Sequence, residues 1–195
     1  MTAAVRSIAS GATVLALLAG GAALVYTRWT GPVADGDRAI ADGQLERALV
    51  AYAHAEARFE RLGAAKQLFT ADYDHVIGSQ LWVLYRLERY DDTIEKADRA
   101  PGGAMPHFWS GCAFFAKALA EEKPEARLGW MSRAEAELRR ALDAAPDDWD
   151  TKYDFELVTR LAAELRKQPK TPPSQLMRLL RPQPQGGAKP VRRVG

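Results

Sequence analysis

The chain has 195 residues, 47% of them hydrophobic and 27% charged, with a formal net charge of +2 and a single cysteine, Cys112. That allows one domain of ordinary size with extensions and excludes an intrachain disulfide. The charge is unevenly spread: from residue 35 to residue 165 acids exceed bases by eight, whereas from Arg166 onward there are eight bases and no acid, and so acidic a body is a poor partner for nucleic acid.

Alanine, Leu, Arg and Glu dominate and β-branched residues are sparse, which predicts an all-α fold. Ser7–Thr27 is a run of 21 residues without a charge, between Arg6 and Arg28. As a helix it would be about 31 Å long, one hydrocarbon core. A cleaved signal peptide would need small residues at the end of the run. The run ends instead in Val25-Tyr26-Thr27-Arg28-Trp29. The expectation is therefore an uncleaved signal anchor over residues 1–30, with Tyr26 and Trp29 at the membrane interface and Arg28 snorkelling. Arg6 and the α-amine favour an inward N-terminus. The protein would then be single-pass in the inner (cytoplasmic) membrane, with its core in the periplasm. Gly31-Pro32 should break the anchor helix.

Residues 31–167 carry a recurring pattern. Ala48, Tyr52 and Ala55 are small, large and small at spacings of four and three, so they share one helix face. Gly43 sits at the turn before them, and Gly36 lies seven residues earlier. This helix should run to Leu62 and stop at Gly63. Asp72–Arg89 reads as the next helix, Tyr90 as a turn residue, and Thr93, Ala97 and Ala100 as a second stripe before Pro101-Gly102-Gly103. Pro106 opens a further helix. Glu121–Arg127 should be a charged loop, followed by a helix over Leu128–Ala145 bearing Ala134, Leu138 and Ala141, with Pro146 as its stop. Replacing Ala134 or Ala141 by Leu should loosen the fold, and the same change at Glu137 should be nearly silent. Asp147 or Asp148 can cap a last helix, Trp149–Lys167. There Trp149, Tyr153, Leu157 and Leu161 should pack back on the preceding unit.

Small-large-small-Pro at these offsets is the second-helix half of a tetratricopeptide (TPR) repeat. The stripes start at Ala48, Thr93 and Ala134, intervals of 45 and 41 residues. The TPR period is about 34, so the array is degenerate, a TPR-like α-solenoid of helical hairpins. Residues 168–195 are basic and rich in Pro and Gly, the composition of a flexible tail. Within them Ser174–Arg181 reads as a two-turn helix or docking motif.

No catalytic set is found. His54, His75 and His107 lie too far apart for metal-ligand spacing, and no cofactor is expected. Asp147-Asp148-Trp149-Asp150 lacks the glycine and terminal Glu of a calcium loop. Cys112, within the apolar Trp109–Phe115, reads as a buried thiol. In a TPR array the first helices line the concave surface. That would place Trp82, Tyr85 and Arg86 there, with Tyr153 and Arg160 from the last helix. Trp, Tyr and Arg dominate binding hot spots. The competing expectation is that Trp82 and Tyr85 pack inside.

An N-terminal anchor, a degenerate TPR core and Pro146-Asp-Asp-Trp-Asp-Thr-Lys-Tyr153-Asp154-Phe155-Glu156-Leu157 before a basic tail together resemble the small TPR proteins that accompany von Willebrand A proteins and a MoxR-type ATPase. Within that group the chain is most similar to the MxaK-like accessory proteins of bacterial methanol oxidation. Asp154 stands where many of them carry Asn, and Thr93 and Glu60 depart from the repeat consensus. The resemblance implies a non-enzymatic membrane scaffold that helps mature periplasmic methanol dehydrogenase, at calcium insertion, beside von Willebrand A partners. The alternative is a general cell-envelope assembly adaptor that binds peptides or cell-wall enzymes.

Overall fold

The computed structural model describes residues 2–61 and 63–167, with side-chain environments from Leu15 onward, Ala22 excepted. It is all-helical there, with α1 (Thr2–Ala41), α2 (Leu45–Arg61), α3 (Gly63–Leu68), α4 (Thr70–Arg86), α5 (Tyr90–Arg99), α6 (Ala104–Ala120), α7 (Pro124–Ala144) and α8 (Trp149–Lys167). The helices pack in the pairs α1–α2, α4–α5 and α6–α7, with α8 against α7 and α3 bridging α2 and α4. The first members of the pairs also touch in order, α1 to α4, α4 to α6 and α6 to α8. The tail and its Ser174–Arg181 segment lie outside the described residues.

The anchor and the first core helix are not separated at Gly31-Pro32 as expected, and the boundary drawn at residue 30 falls inside one helix. Helix α1 continues through Pro32 to Ala41. Proline has no N–H and leaves the carbonyl four residues back without its helical donor. That carbonyl is Arg28's, and Arg58 Nη1 from α2 donates to it at 2.5 Å. A guanidinium 30 residues away thus replaces the missing backbone bond. Pro32 and Val33 are buried, and Trp29 packs edge-on against Phe59, with ring centroids 5.7 Å apart.

Helix α1 ends in a Schellman turn. Gly43 N donates to Ile40 O at 2.9 Å and Gln44 N to Ala39 O at 2.7 Å, with Gly43 at φ 71°. The stripe expected on α2 is fully inside: Ala48, Tyr52 and Ala55 are all 0% exposed. Tyr52 lies flat on Gly36, where a Cβ would come within 2.6 Å of the ring. Burying a side chain of this size contributes about 1.5–3 kcal/mol. The same seat recurs on α6–α7, where Leu138 presses on Gly111 and a Cβ there would come within 2.7 Å of Leu138 Cγ. Ala134 and Ala141 flank this knob, both 0% exposed. Thr93 and Ala97 of the middle stripe are buried, and Ala100 is half-buried.

Other boundaries differ from expectation. Helix α2 ends at Arg61, close to the expected stop, and Gly63 begins the short α3. The helix expected over Asp72–Arg89 spans Thr70–Arg86, and Tyr90, read as a turn residue, is the first residue of α5. The charged loop is only residues 121–123, because Pro124 opens α7 at a position that needs no N–H. Pro146 is exposed in the α7–α8 connection. Asp148 caps α8 as expected. Its Oδ1 accepts from Asp150 N at 3.1 Å and its Oδ2 from Thr151 Oγ1 at 2.6 Å. The face of α8 turned to α7 is not the expected one. Thr151, Val158 and Ala162 are buried there; of the expected stripe, Leu161 packs half-buried against that core, while Trp149 and Tyr153 stand exposed, at 78% and 69%. Glu137 is not a free surface position either. Its Oε2 meets His107 Nδ1 at 2.7 Å and its Oε1 accepts from Arg140 Nη1 at 2.5 Å. Substitution there removes two links and is not silent.

Among the described residues no helix is long and apolar enough to cross a membrane. Two cores fill the body. The first joins α1, α2, α4 and α5 around Tyr52, Phe59, Val76 and Leu81. The second joins α6, α7 and α8 around Met131, Leu138 and Val158.

Candidate functional site

Helix α4 divides its residues by helical period. Leu81, Val83 and Leu84 are buried, Trp82 and Tyr85 are half-buried, and Arg86 is exposed. Trp82 is half-buried, its inner edge on that core and its outer edge on an open groove. The groove has a volume of about 460 Å³ and is walled by Ile40 of α1, His75, Gly78 and Trp82 of α4, and Met105 and Trp109 of α6. Arg86 is exposed, and its Cζ lies 5.7 Å from the Trp82 ring centroid, within cation–π range. A Cβ at Gly78 would make only an ordinary contact with Met105 Cε, at 3.5 Å.

Tyr85 lies beside this groove, with its ring centroid 5.4 Å from Trp109 and 5.7 Å from Tyr90. Burial pushes its hydroxyl pKa up. Cys112, Tyr90 and Asp154 act in the same direction, and Arg86 opposes them. Cys112 Sγ donates to Asp154 Oδ2 at 3.8 Å. Burial, then Asp154, holds this thiol far above the usual cysteine range, so it stays protonated. Asp154 is raised as well, first by its own burial, with the Cys112 bond opposing and Asp150 and Asp148 adding to the rise. A protonated thiol beside a carboxyl with a raised pKa is the reverse of an activated nucleophile.

The groove's other wall is fixed by a polar node. Tyr52 Oη donates to Asp37 Oδ1 at 2.6 Å, and His75 Nε2 meets the same oxygen at 2.8 Å. Burial, then Asp37, pushes the Tyr52 hydroxyl above its ordinary range. The node ties α1 to α2 and α4 and presents His75 to the groove.

Of the five residues expected at a partner surface, α4 brings Trp82 and Arg86 together and sets Tyr85 beside them. Tyr153 and Arg160 stand exposed on α8. Among the described residues no ring–ring or cation–ring contact joins them to that pair. The α8 residue that reaches this side is Asp154, beside Cys112. The sequence reading missed Met105, Trp109, Ile40 and His75. Trp109 had been assigned to an apolar core stretch, and no local spacing shows that two tryptophans 27 residues apart share a groove. Among the described residues, no group of three His, Cys, Asp or Glu side chains is placed to hold a metal ion.

No family model, no curated protein and no solved structure matches this chain.

Proposed function

We propose that this chain is a non-enzymatic, membrane-anchored scaffold of TPR-like hairpins, and that the groove between Trp82 and Trp109 holds a segment of a partner protein. The observation that carries this reading is the groove itself. It is open and walled largely by apolar side chains, with two tryptophans and Arg86 over the Trp82 ring, residue types on which protein interfaces concentrate their binding energy. Two small-large-small stripes, Ala48/Tyr52/Ala55 and Ala134/Leu138/Ala141, are buried, as are Thr93 and Ala97 of the middle stripe, and they support the TPR-like register. The uncharged run Ser7–Thr27 supports the anchor, as do Leu15, Leu17, Leu18 and Leu24, each at least 67% exposed on α1. Such side chains need a non-aqueous surrounding. The inward N-terminus, and with it a core in the periplasm, is supported by Arg6 and the α-amine, against Arg28 on the other flank.

The partner and client come from the resemblance. The groove would hold a von Willebrand A domain protein, and the assembly would assist calcium insertion into methanol dehydrogenase. Trp82→Ala combined with Arg86→Ala should abolish co-purification of the partner. Because Trp82 also touches the core, Met105→Glu at the exposed rim is the cleaner variant. It should lower co-purification at least tenfold, with helical circular dichroism and melting point unchanged. Dehydrogenase from the same strain should carry too little calcium. Undiminished co-purification with full calcium occupancy in Met105→Glu would remove the groove from the reading.

A further inference from the structure

The packing of α1 fixes which part of the body lies level with the end of the uncharged run. The Tyr26 ring centroid is 6.1 Å from that of Phe69, and Trp29 meets Phe59. Arg58 reaches the Arg28 carbonyl. These three contacts hold the end of α2 and Phe69, the residue that joins α3 to α4, against α1 at Tyr26–Trp29. This elbow has an unusual surface. Leu68 is 77% exposed, Arg58 and Arg61 are exposed, Lys66 is half-buried, and Arg28 is exposed beside them on α1. From Arg58 to Phe69 there are three bases and one acid, Glu60. Elsewhere the body is strongly acidic.

We propose that the elbow, residues 58–61 and 63–69, is a second contact with the bilayer, resting on an anionic headgroup layer beside the anchor. Leu68 enters the interface, and Arg28, Arg58 and Arg61 lie among the headgroup phosphates, while the Lys66 ammonium sits over the Tyr73 ring and pairs with Glu60. The chemistry matches the level. Long basic side chains place their stems along apolar surface and their charges among phosphates. Tyr26 and Phe69 supply aromatic rings at the same height. A single helix leaves a body free to tilt, whereas a helix with a basic, leucine-tipped elbow at its base holds the groove in one orientation above the membrane. The inference rests on the anchor reading.

The test uses the full chain with Cys112→Ala and a nitroxide on Leu68→Cys, reconstituted into vesicles of phosphatidylcholine with phosphatidylglycerol. The reference is a nitroxide on Val50→Cys, which is exposed on α2 about 12 Å along the helix from Arg58, where the elbow begins. Flotation is measured first, then collision of each label with oxygen and with a water-soluble nickel chelate. The expected result is flotation, with the residue 68 label relaxed several-fold more by oxygen than by nickel and the residue 50 label the reverse. Replacing the anionic lipid by phosphatidylcholine alone should move the residue 68 label back toward water. Failure to float would remove the anchor and, with it, this contact. Flotation with residue 68 as nickel-accessible as residue 50 would overturn the elbow contact alone. A residue 68 label shielded from both reagents would mean that a second copy covers it, and would also overturn the proposal.

Discussion

In the α1–α2 hairpin the first helix supplies the flat spot, Gly36, and the second supplies the knob, Tyr52. In α4–α5 the residues at the same separation of sixteen are Leu81 and Ala97, both buried in the first core, so the first helix carries the large residue and the second the small one. The turns differ in a parallel way. Glu88 N donates to Tyr85 O and Arg89 N to Leu84 O, both at 3.0 Å, which is the bond pattern seen at Gly43 and Gln44. The left-handed position is taken by glycine in one hairpin and by Glu88, at φ 57°, in the other. Close packing asks only that large meet small, and is indifferent to which helix brings which. A consensus written at fixed positions reads one polarity and overlooks the other.

Three substitutions bear on this comparison. The largest effect is expected from Gly36→Ala. The new Cβ would meet Tyr52 Cε1, Cζ and Cδ1 at 2.6, 2.7 and 2.9 Å, and the ring is pinned by its bond to Asp37. Overpacking of about 1–3 kcal/mol should outweigh the gain of up to about 1 kcal/mol from alanine's helix propensity. Denaturant titration should show a clear net loss. Equal stability would mean that the hairpin can part without cost and that the glycine seat has no role. Next comes Tyr52→Phe, which keeps the ring but removes the hydroxyl bond to Asp37. A loss of about 1 kcal/mol is expected, together with freer motion of His75 visible in its ring NMR signals. Among the described residues, the α4–α5 hairpin shows no side-chain hydrogen bond between its two helices to match this tie. The smallest effect is a gain. Glu88→Gly relieves a left-handed residue of roughly 1 kcal/mol and should raise the melting point by a few degrees. A lower melting point would show that the Glu88 side chain stabilises the turn by some other route.

Much of the fold could be read from local spacing because its signals are local. Ala48, Tyr52 and Ala55, and Ala134, Leu138 and Ala141, lie within two turns of one helix, and their burial follows from the period alone. The cap at Asp148 was visible for the same reason. What escaped depends on partners far along the chain. Pro32 reads as a helix breaker until Arg58 is known to sit beside the Arg28 carbonyl. The Trp149/Tyr153 stripe looks as apolar as the stripe that is buried, and only the arrival of α7 on the Thr151/Val158/Ala162 side decides between them. The groove mixes both cases. Trp82 and Arg86 are one helical turn apart and could be paired in advance, whereas Trp109 and Met105 come from another helix. Glu137 shows the limit most plainly, because its two partners, His107 and Arg140, turn a nominal surface residue into a link between α6 and α7.

The unbroken passage of α1 through Pro32 has a geometric consequence. In a helix each residue advances about 1.5 Å and turns about 100°. The compass bearing of the groove relative to the lower part of α1 is therefore set by residue count, as a gear tooth is set by its neighbours. One residue inserted before Tyr26 would swing the groove about a quarter-turn relative to everything below it, and four would bring it back within about 40° of where it began. A partner that grips both the groove and the lower shaft of α1 would read that bearing and bind one phase of the helix, whereas a partner that touches the groove alone would be blind to it.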